Sequence, residues 1–252
     1  MDRARELSEC DEAARPLLRG YARVLTLQRD CSERLHARLG ELSGSLDRDL
    51  SVVRSYVPLV LSAADTIGPS LLAQQSRHLL DGGDAAVDSM LLAWWRTPSD
   101  EHFFARMLLQ PYAACLARAG IRPADRESSR GDRVCPFCGG APQVSVLQSA
   151  GDADGGGRQL QCSVCFTLWP FRRVLCAFCG EEDERRLGYF HSPSFDHVRV
   201  DTCDTCKGYL KTVDLTRLGL AVPVVDEVAS ASLDLWARDR GYQKIALNLV
   251  GL

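Results

Sequence analysis

Eight of the eleven cysteines in this 252-residue chain fall into four CxxC pairs, Cys135/Cys138, Cys162/Cys165, Cys176/Cys179 and Cys203/Cys206, separated by 23, 10 and 23 residues. A shift of 41 residues carries the first two pairs onto the last two without a gap, so this segment is a tandem repeat. A CxxC turn presents two sulfurs to one point. Zinc or iron in an all-thiolate site takes four, in a tetrahedron with metal–sulfur distances of about 2.3 Å. Each turn is therefore half a site, and 23 residues leave room for a hairpin that returns a second turn to face the first. This is the plan of a zinc ribbon or rubredoxin-like module.

The expected pairing lies within each repeat: Cys135, Cys138, Cys162 and Cys165 on one ion, and Cys176, Cys179, Cys203 and Cys206 on a second. The interleaved alternative, first pair with third and second with fourth, leaves neither repeat able to fold alone. Gln143–Leu147 and residues 158–161 read as strands of the first module around a loop tip at 149–157. Leu187–Phe190 and His197–Val200 read as strands of the second, around a tip at Ser192–Asp196. Gly139 and Gly180 follow the first turn of each module, where a positive φ closes the knuckle; Phe166 and Lys207 stand at the matching places after the second turns. A lone Cys135-Pro-Phe-Cys138 would also suit a redox pair, but four pairs in register favour metal. Structural zinc contributes about 10–16 kcal/mol in small finger peptides, more than a core of about 40 residues supplies, so each module is expected to need its ion to fold.

Charge weighs against a nucleic-acid binder. The formal net charge is −3, and residues 131–215 hold nine Lys/Arg against eleven Asp/Glu, whereas phosphate neutralisation needs a basic surface. Arg172, Arg173, Arg185 and Arg186 could form a local basic patch, but Glu181, Glu182, Asp183 and Glu184 adjoin the latter pair, which reads as a solvated turn. No uncharged apolar stretch approaches the roughly 20 residues that span a bilayer. The N-terminal MDRARELSECDEAARP lacks an apolar h-region, so a reducing, cytoplasmic setting is expected.

The rest of the chain reads as helical. Apolar residues at helical spacing predict helices near 11–39, 45–66, 69–80, 84–96 and 100–119, with Pro58 and Pro111 kinking or dividing theirs. The organisation expected is a helical domain at 1–120, a polar linker at 121–133, metal modules at 134–175 and 176–215, and a C-terminal helix with a docked tail at 216–252. From Val213 onward the chain is read as returning to helix, with an amphipathic helix at Asp226–Asp239. No catalytic constellation is present: His36, His78 and His102 are scattered, Cys10, Cys31 and Cys115 read as small packing residues, and Trp94-Trp95 as a packing anchor.

A helical N-terminal half followed by LQCSVCFTLWPFRRVLCAFCG (Leu160–Gly180) and DTCDTCKGYLK (Asp201–Lys211), with a final acidic helix and GYQK, resembles the formate dehydrogenase accessory protein FdhE family over nearly the whole chain. The resemblance implies a non-catalytic assembly factor of the cytoplasm. It would contact the catalytic subunit of formate dehydrogenase and carry iron or zinc in ribbon-like modules, one ion per four cysteines. Trp169, Phe171, Tyr189 and Tyr209 would then be held where a client surface can read them. The other readings of the residues are a zinc-ribbon nucleic-acid binder and a rubredoxin-like electron carrier.

Overall fold

The computed structural model describes residues 2–10, 12, 14–126, 131–149 and 157–252. Contacts divide them into a unit of Met1–Ser128 with Phe137–Gly139 and a unit of Ser129–Pro136 with Gly140–Leu252. Most of the loop tip at 149–157 and part of the linker at 121–133 lie outside the described residues.

The first unit is helical: α1 (Asp2–Cys10), α2 (Arg15–Ala37), α3 (Leu46–Arg54), α4 (Val57–Ser62), α5 (Ala64–Ile67), α6 (Ser70–Arg96) and α7 (Phe103–Ala119). The helix expected at 45–66 is three short ones; Pro58, which has no N–H to donate and sits in the first turn of α4, accounts for the break between α3 and α4. Those expected at 69–80 and 84–96 are the two helical segments of α6, separated at Gly83, whose φ 63° and ψ −164° are not helical. α1 was not anticipated. Pro111 does not divide α7. The carbonyl it leaves without an amide partner, that of Met107, accepts Gln28 Nε2 at 3.4 Å. Trp94 and Trp95 are buried, and Trp95 meets Tyr112 edge-on at 5.3 Å and donates its indole N–H to Asp125 at 2.8 Å. Cys31 and Cys115 are buried, whereas Cys10 is exposed; burial pushes the Cys31 thiol up to about 12.

In the second unit the sequence repeat is also a structural one. β1 (Pro142–Gln148), β2 (Gly157–Cys162) and β3 (Leu168–Pro170) form one antiparallel meander, and β4 (Leu187–Ser192), β5 (Phe195–Cys203) and β6 (Gly208–Asp214) form another. The two fuse where β1 runs parallel to β6, from Val144 beside Lys211 to Leu147 beside Asp214, giving the order β3-β2-β1-β6-β5-β4. β6 corrects the reading of helix from Val213 onward, since the chain stays extended through Val213 to Asp214. Every residue of β6 but Asp214 is buried, on both faces of the sheet, so the alternation that marks a half-exposed strand is lost. The helix expected at Asp226–Asp239 is two, α8 (Pro223–Ala229) and α9 (Ala231–Asp239), broken at Ser230. The tail docks as β7 (Gln243–Lys244), parallel to Gly208–Tyr209 of β6.

The helices cover one face of this sheet through Val144, Val198, Val200, Tyr209 and Val213, which pack with Leu233 and Ala237. Each such large apolar side chain contributes about 1.5–3 kcal/mol by leaving water. Beneath them four elements meet on buried charge. Lys211 of β6 reaches Asp234 of α9 at 2.5 Å and Glu227 of α8 at 3.1 Å. Lys244 of β7 pairs with Glu227 and lies 2.9 Å from Asp234. All four side chains are fully buried, and two cations against two anions leave no net charge. Tyr209 Oη donates to Asp234 at 2.9 Å, and Asn248 Nδ2 donates to Glu227 at 3.0 Å. The acidic residues read as the polar side of an amphipathic helix are thus its inward side. Among the described residues no helix is long and apolar enough to cross a membrane.

Burial alone would raise the pKa of Glu227 and Asp234, but Lys211 and Lys244 outweigh it and hold both below the ordinary carboxylate values. The stability they contribute is complete above their unfolded values, about 4.3 and 3.9, and is lost as pH falls through the lower folded values. A Glu227→Gln, Asp234→Asn variant strands two buried ammonium groups and should lose about 3–5 kcal/mol or more at pH 7. In urea unfolding at matched pH, the gap from the parent should narrow below about pH 4. A gap that stayed constant from pH 7 to pH 3 would mean the carboxyls are not ionised in the fold.

Candidate metal centres

The four thiol pairs sit at equivalent places in the two meanders. Cys135/Cys138 and Cys176/Cys179 form turns ahead of β1 and β4, and Cys162/Cys165 and Cys203/Cys206 form the turns from β2 to β3 and from β5 to β6. The first turns close alike: Cys135 N–H donates to the Gly140 carbonyl and Cys176 N–H to the Glu181 carbonyl, both at 2.9 Å. Gly139 (φ 71°) and Gly180 (φ 79°) take the left-handed conformation there. Phe166 (φ 59°) and Lys207 (φ 57°) take it at the second turns, so all four knuckles share one backbone shape. A side chain in that region costs about 1–2 kcal/mol. At Lys207 the tail helps to hold it: the carbonyl accepts Gln243 N–H at 2.7 Å, and the ammonium lies 2.7 Å from Asp204 and over the Tyr242 ring.

The thiols converge within each repeat and not in the interleaved way. Cys135, Cys138, Cys162 and Cys165 bring their sulfurs within 4.8 Å of one another, and so do Cys176, Cys179, Cys203 and Cys206. Sulfur–sulfur distances are 3.6 Å for Cys135–Cys165 and 3.7 Å for both Cys176–Cys206 and Cys179–Cys203. A tetrahedron with metal–sulfur bonds of about 2.3 Å has edges of about 3.8 Å, so both quartets fit a four-thiolate zinc or iron ion. Backbone amides already point at sulfur: Val164 N–H at Cys162 (3.3 Å), Phe178 N–H at Cys176 (3.4 Å) and Gly208 N–H at Cys206 (3.3 Å). Burial resists ionisation of Cys176, but the amides of Cys179 and Phe178 and the thiols of Cys179 and Cys206 hold its pKa below the ordinary thiol value. Burial raises Cys179 and Cys206. An arriving cation would displace those protons.

The quartets differ in exposure. Every thiol of the first is buried; in the second Cys176 and Cys203 are buried, Cys206 is half-buried and Cys179 is exposed. A brace links the two repeats. Arg158 of β2, nearly buried, donates to Ser145 Oγ (3.0 Å), to the carbonyls of Arg172, Arg173 and Leu175, and to Asp201 of β5 (3.2 Å). Asp201 also accepts from Arg199 and Thr212. Sequence reasoning passed over this pair. The signal was parity, because Arg158 shares its strand face with Leu160 and Cys162, as Asp201 shares its own with Cys203. Arg133, also passed over, donates to the Phe178 carbonyl of the third knuckle.

Three of the four aromatic residues expected at the surface are buried. Trp169 donates its indole N–H to the Asp132 carbonyl at 2.7 Å, Phe171 lies under the Arg158 guanidinium, and Tyr209 is held by Asp234. Tyr189 is 66% exposed, and Phe178, within the third knuckle, is 59% exposed. In the basic run, Arg172 pairs with Glu182 at 2.6 Å and Arg185 with Asp183 at 2.8 Å.

Family models for the FdhE central domain and the FdhE C-terminal domain match residues 134–173 and 174–250. The FdhE homolog of Aquifex aeolicus is 43% identical over 117 residues, 46% of this chain and 41% of the relative. That of Shewanella oneidensis is 28% identical over 178 residues, 71% of this chain and 57% of the relative. The chain thus spans about half the length of the curated relatives it matches. The crystal structure of the FdhE protein from Pseudomonas aeruginosa shares the fold, with a TM-score of 0.70 over 98% of this chain and 93% of that one at 23% identity.

Two outcomes follow for the purified, reduced chain. Elemental analysis should find two zinc or iron ions, falling to one with Cys162→Ser and to one with Cys203→Ser; loss of both ions from either variant would contradict separate sites. Gly180→Ala meets nothing closer than Arg133 at 3.7 Å, so its cost of about 1–2 kcal/mol is conformational alone. It should weaken metal retention at the second quartet in chelator competition and leave the first unchanged.

Proposed function

Because this chain belongs to the FdhE family, we propose that it is a metal-binding accessory protein for maturation of formate dehydrogenase, binding that enzyme's catalytic subunit in the cytoplasm. The observation that carries this reading is the pair of thiol quartets at tetrahedral spacing on one continuous sheet. Cys135, Cys138, Cys162 and Cys165 would ligate one ion, iron or zinc, and Cys176, Cys179, Cys203 and Cys206 the other. A bound ion supplies cross-linking: it ties each CxxC turn ahead of a meander to the turn inside it. Four sulfurs on one ion leave no open coordination position for a substrate, which supports a binding role over turnover.

The surface near the second quartet suits protein contact. Phe178 and Tyr189 are largely exposed, and Phe190, 40% exposed, stacks on Trp236 at 4.7 Å. Exposed aromatic anchors beside rigid backbone are common in protein interfaces. The carboxylates facing Arg172 and Arg185 support a protein partner over a nucleic acid.

Tagged chain expressed with formate dehydrogenase should recover its catalytic subunit, and Phe178→Ala with Tyr189→Ala should reduce recovery about tenfold or more while both ions are retained. Salt-sensitive retention of RNA or DNA in place of the subunit would support the nucleic-acid reading. Reversible one-electron cycling of an iron-loaded chain, with no subunit recovered, would support an electron carrier.

A further inference from the structure

The two quartets have the same sulfur geometry and different surroundings. In the first, the four cysteines expose between 0% and 3% of their surface, and Trp169 and Val164 beside them are buried. The second quartet is open on two sides. Cys179 faces solvent and Cys206 is half-buried. On another side Cys176 and Cys203 line a cavity of about 460 Å³, walled also by Leu187, Tyr189, Arg199 and Ile245.

We propose that the quartets divide labour: the first is a closed structural site, and the second is the site at which the ion is exchanged with an external ligand carrying thiolate or aromatic-nitrogen donors. The proposal rests on the metal-binding reading above. A four-coordinate d¹⁰ ion accepts a fifth donor in passing, so exchange proceeds by approach of a new ligand to the ion and not by spontaneous escape. Among the described residues the first quartet is covered, with no cysteine more than 3% exposed to such an approach. At the second, an entering donor would bond to the ion as the exposed Cys179 thiolate lets go, and further donors of the ligand would replace Cys206, Cys176 and Cys203 in turn, each freed thiolate taking up a proton from water or from the entering ligand. The ion keeps its charge, and no electron moves.

Two side-chain contacts from outside the exposed knuckle brace it. Arg133 donates to the Phe178 carbonyl from a segment that precedes the first quartet, and Thr205 Oγ1 donates to Glu181 at 2.5 Å on the other side. Arg133 touches no sulfur, so it is a positioning residue: removing it should loosen the turn carrying Cys179 and leave the donor set complete.

The test uses the full reduced chain loaded with two zinc ions and challenged with the chromophoric chelator 4-(2-pyridylazo)resorcinol. Release should occur in two phases of one ion each, the first at least tenfold faster. Quenching with N-ethylmaleimide between the phases and mapping by mass spectrometry should place the label on Cys176, Cys179, Cys203 and Cys206, with Cys135, Cys138, Cys162 and Cys165 protected. Arg133→Ala should speed the first phase severalfold and leave the second unchanged, and Cys179→Ser should remove the first phase altogether. Release of both ions in one phase, or label appearing first on Cys135–Cys165, would overturn the proposal while leaving the metal-binding reading intact. A chain that takes up no ion would overturn both.

Discussion

The convergence of two chain turns, each carrying two thiols, sets the architecture of residues 134–214. A turn that aims two sulfurs at one point must leave the strand direction abruptly, and the left-handed residue after each pair makes that exit. The meanders then follow. Each must be long enough to carry the chain away and return it within sulfur contact, and each does so with three short antiparallel strands. The constraint is strict enough that Phe166 and Lys207 adopt a backbone shape usually left to glycine.

Two modules of this size have little apolar core of their own, and the structure compensates by fusing them. Parallel pairing of β1 with β6 makes one sheet of two meanders. Arg158 and Asp201 fasten the fusion on one face. On the other, α8, α9 and β7 are gathered around Lys211, with Glu227, Asp234 and Lys244 completing a neutral set. Such a set is not a large source of stability compared with apolar packing, since each ion loses its water on burial. Its effect is on arrangement. A helix shifted by one turn, or a tail paired elsewhere, would leave an ammonium or carboxylate buried alone at a cost of several kcal/mol. The charges therefore select one docking geometry for the C-terminal helices and tail, and through Gln243 and Lys207 that geometry reaches the last knuckle.

The repeat is symmetrical in backbone and asymmetrical in environment. Both quartets meet the same tetrahedral requirement, yet among the described residues the second has an exposed thiol at Cys179, an exposed phenylalanine within its turn and a cavity lined by Cys176 and Cys203. The duplicated backbone thus carries one buried thiol quartet and one that is partly exposed. The exposed aromatic side chains of Phe178 and Tyr189 belong to this same second repeat.

Much of this was legible in the residues alone. The spacing of the eight cysteines, the glycines after the first knuckles and the 41-residue shift lead to two within-repeat quartets, since tetrahedral four-sulfur geometry leaves few ways to bring such turns together. Helical periodicity marked α2 and both segments of α6, because a helix with a solvent-facing side writes its burial as a period. What the tertiary structure alone decided was whatever is buried on all sides. β6 loses its alternation because both its faces are covered, the acids of α8 and α9 read as surface until Lys211 and Lys244 arrive from distant strands, and Trp169, Phe171 and Tyr209 find polar partners far along the chain. Exposure likewise belongs to the fold: identical CxxC motifs carry no sign of which neighbours will cover them, so the difference between the two quartets comes from packing and not from the motif.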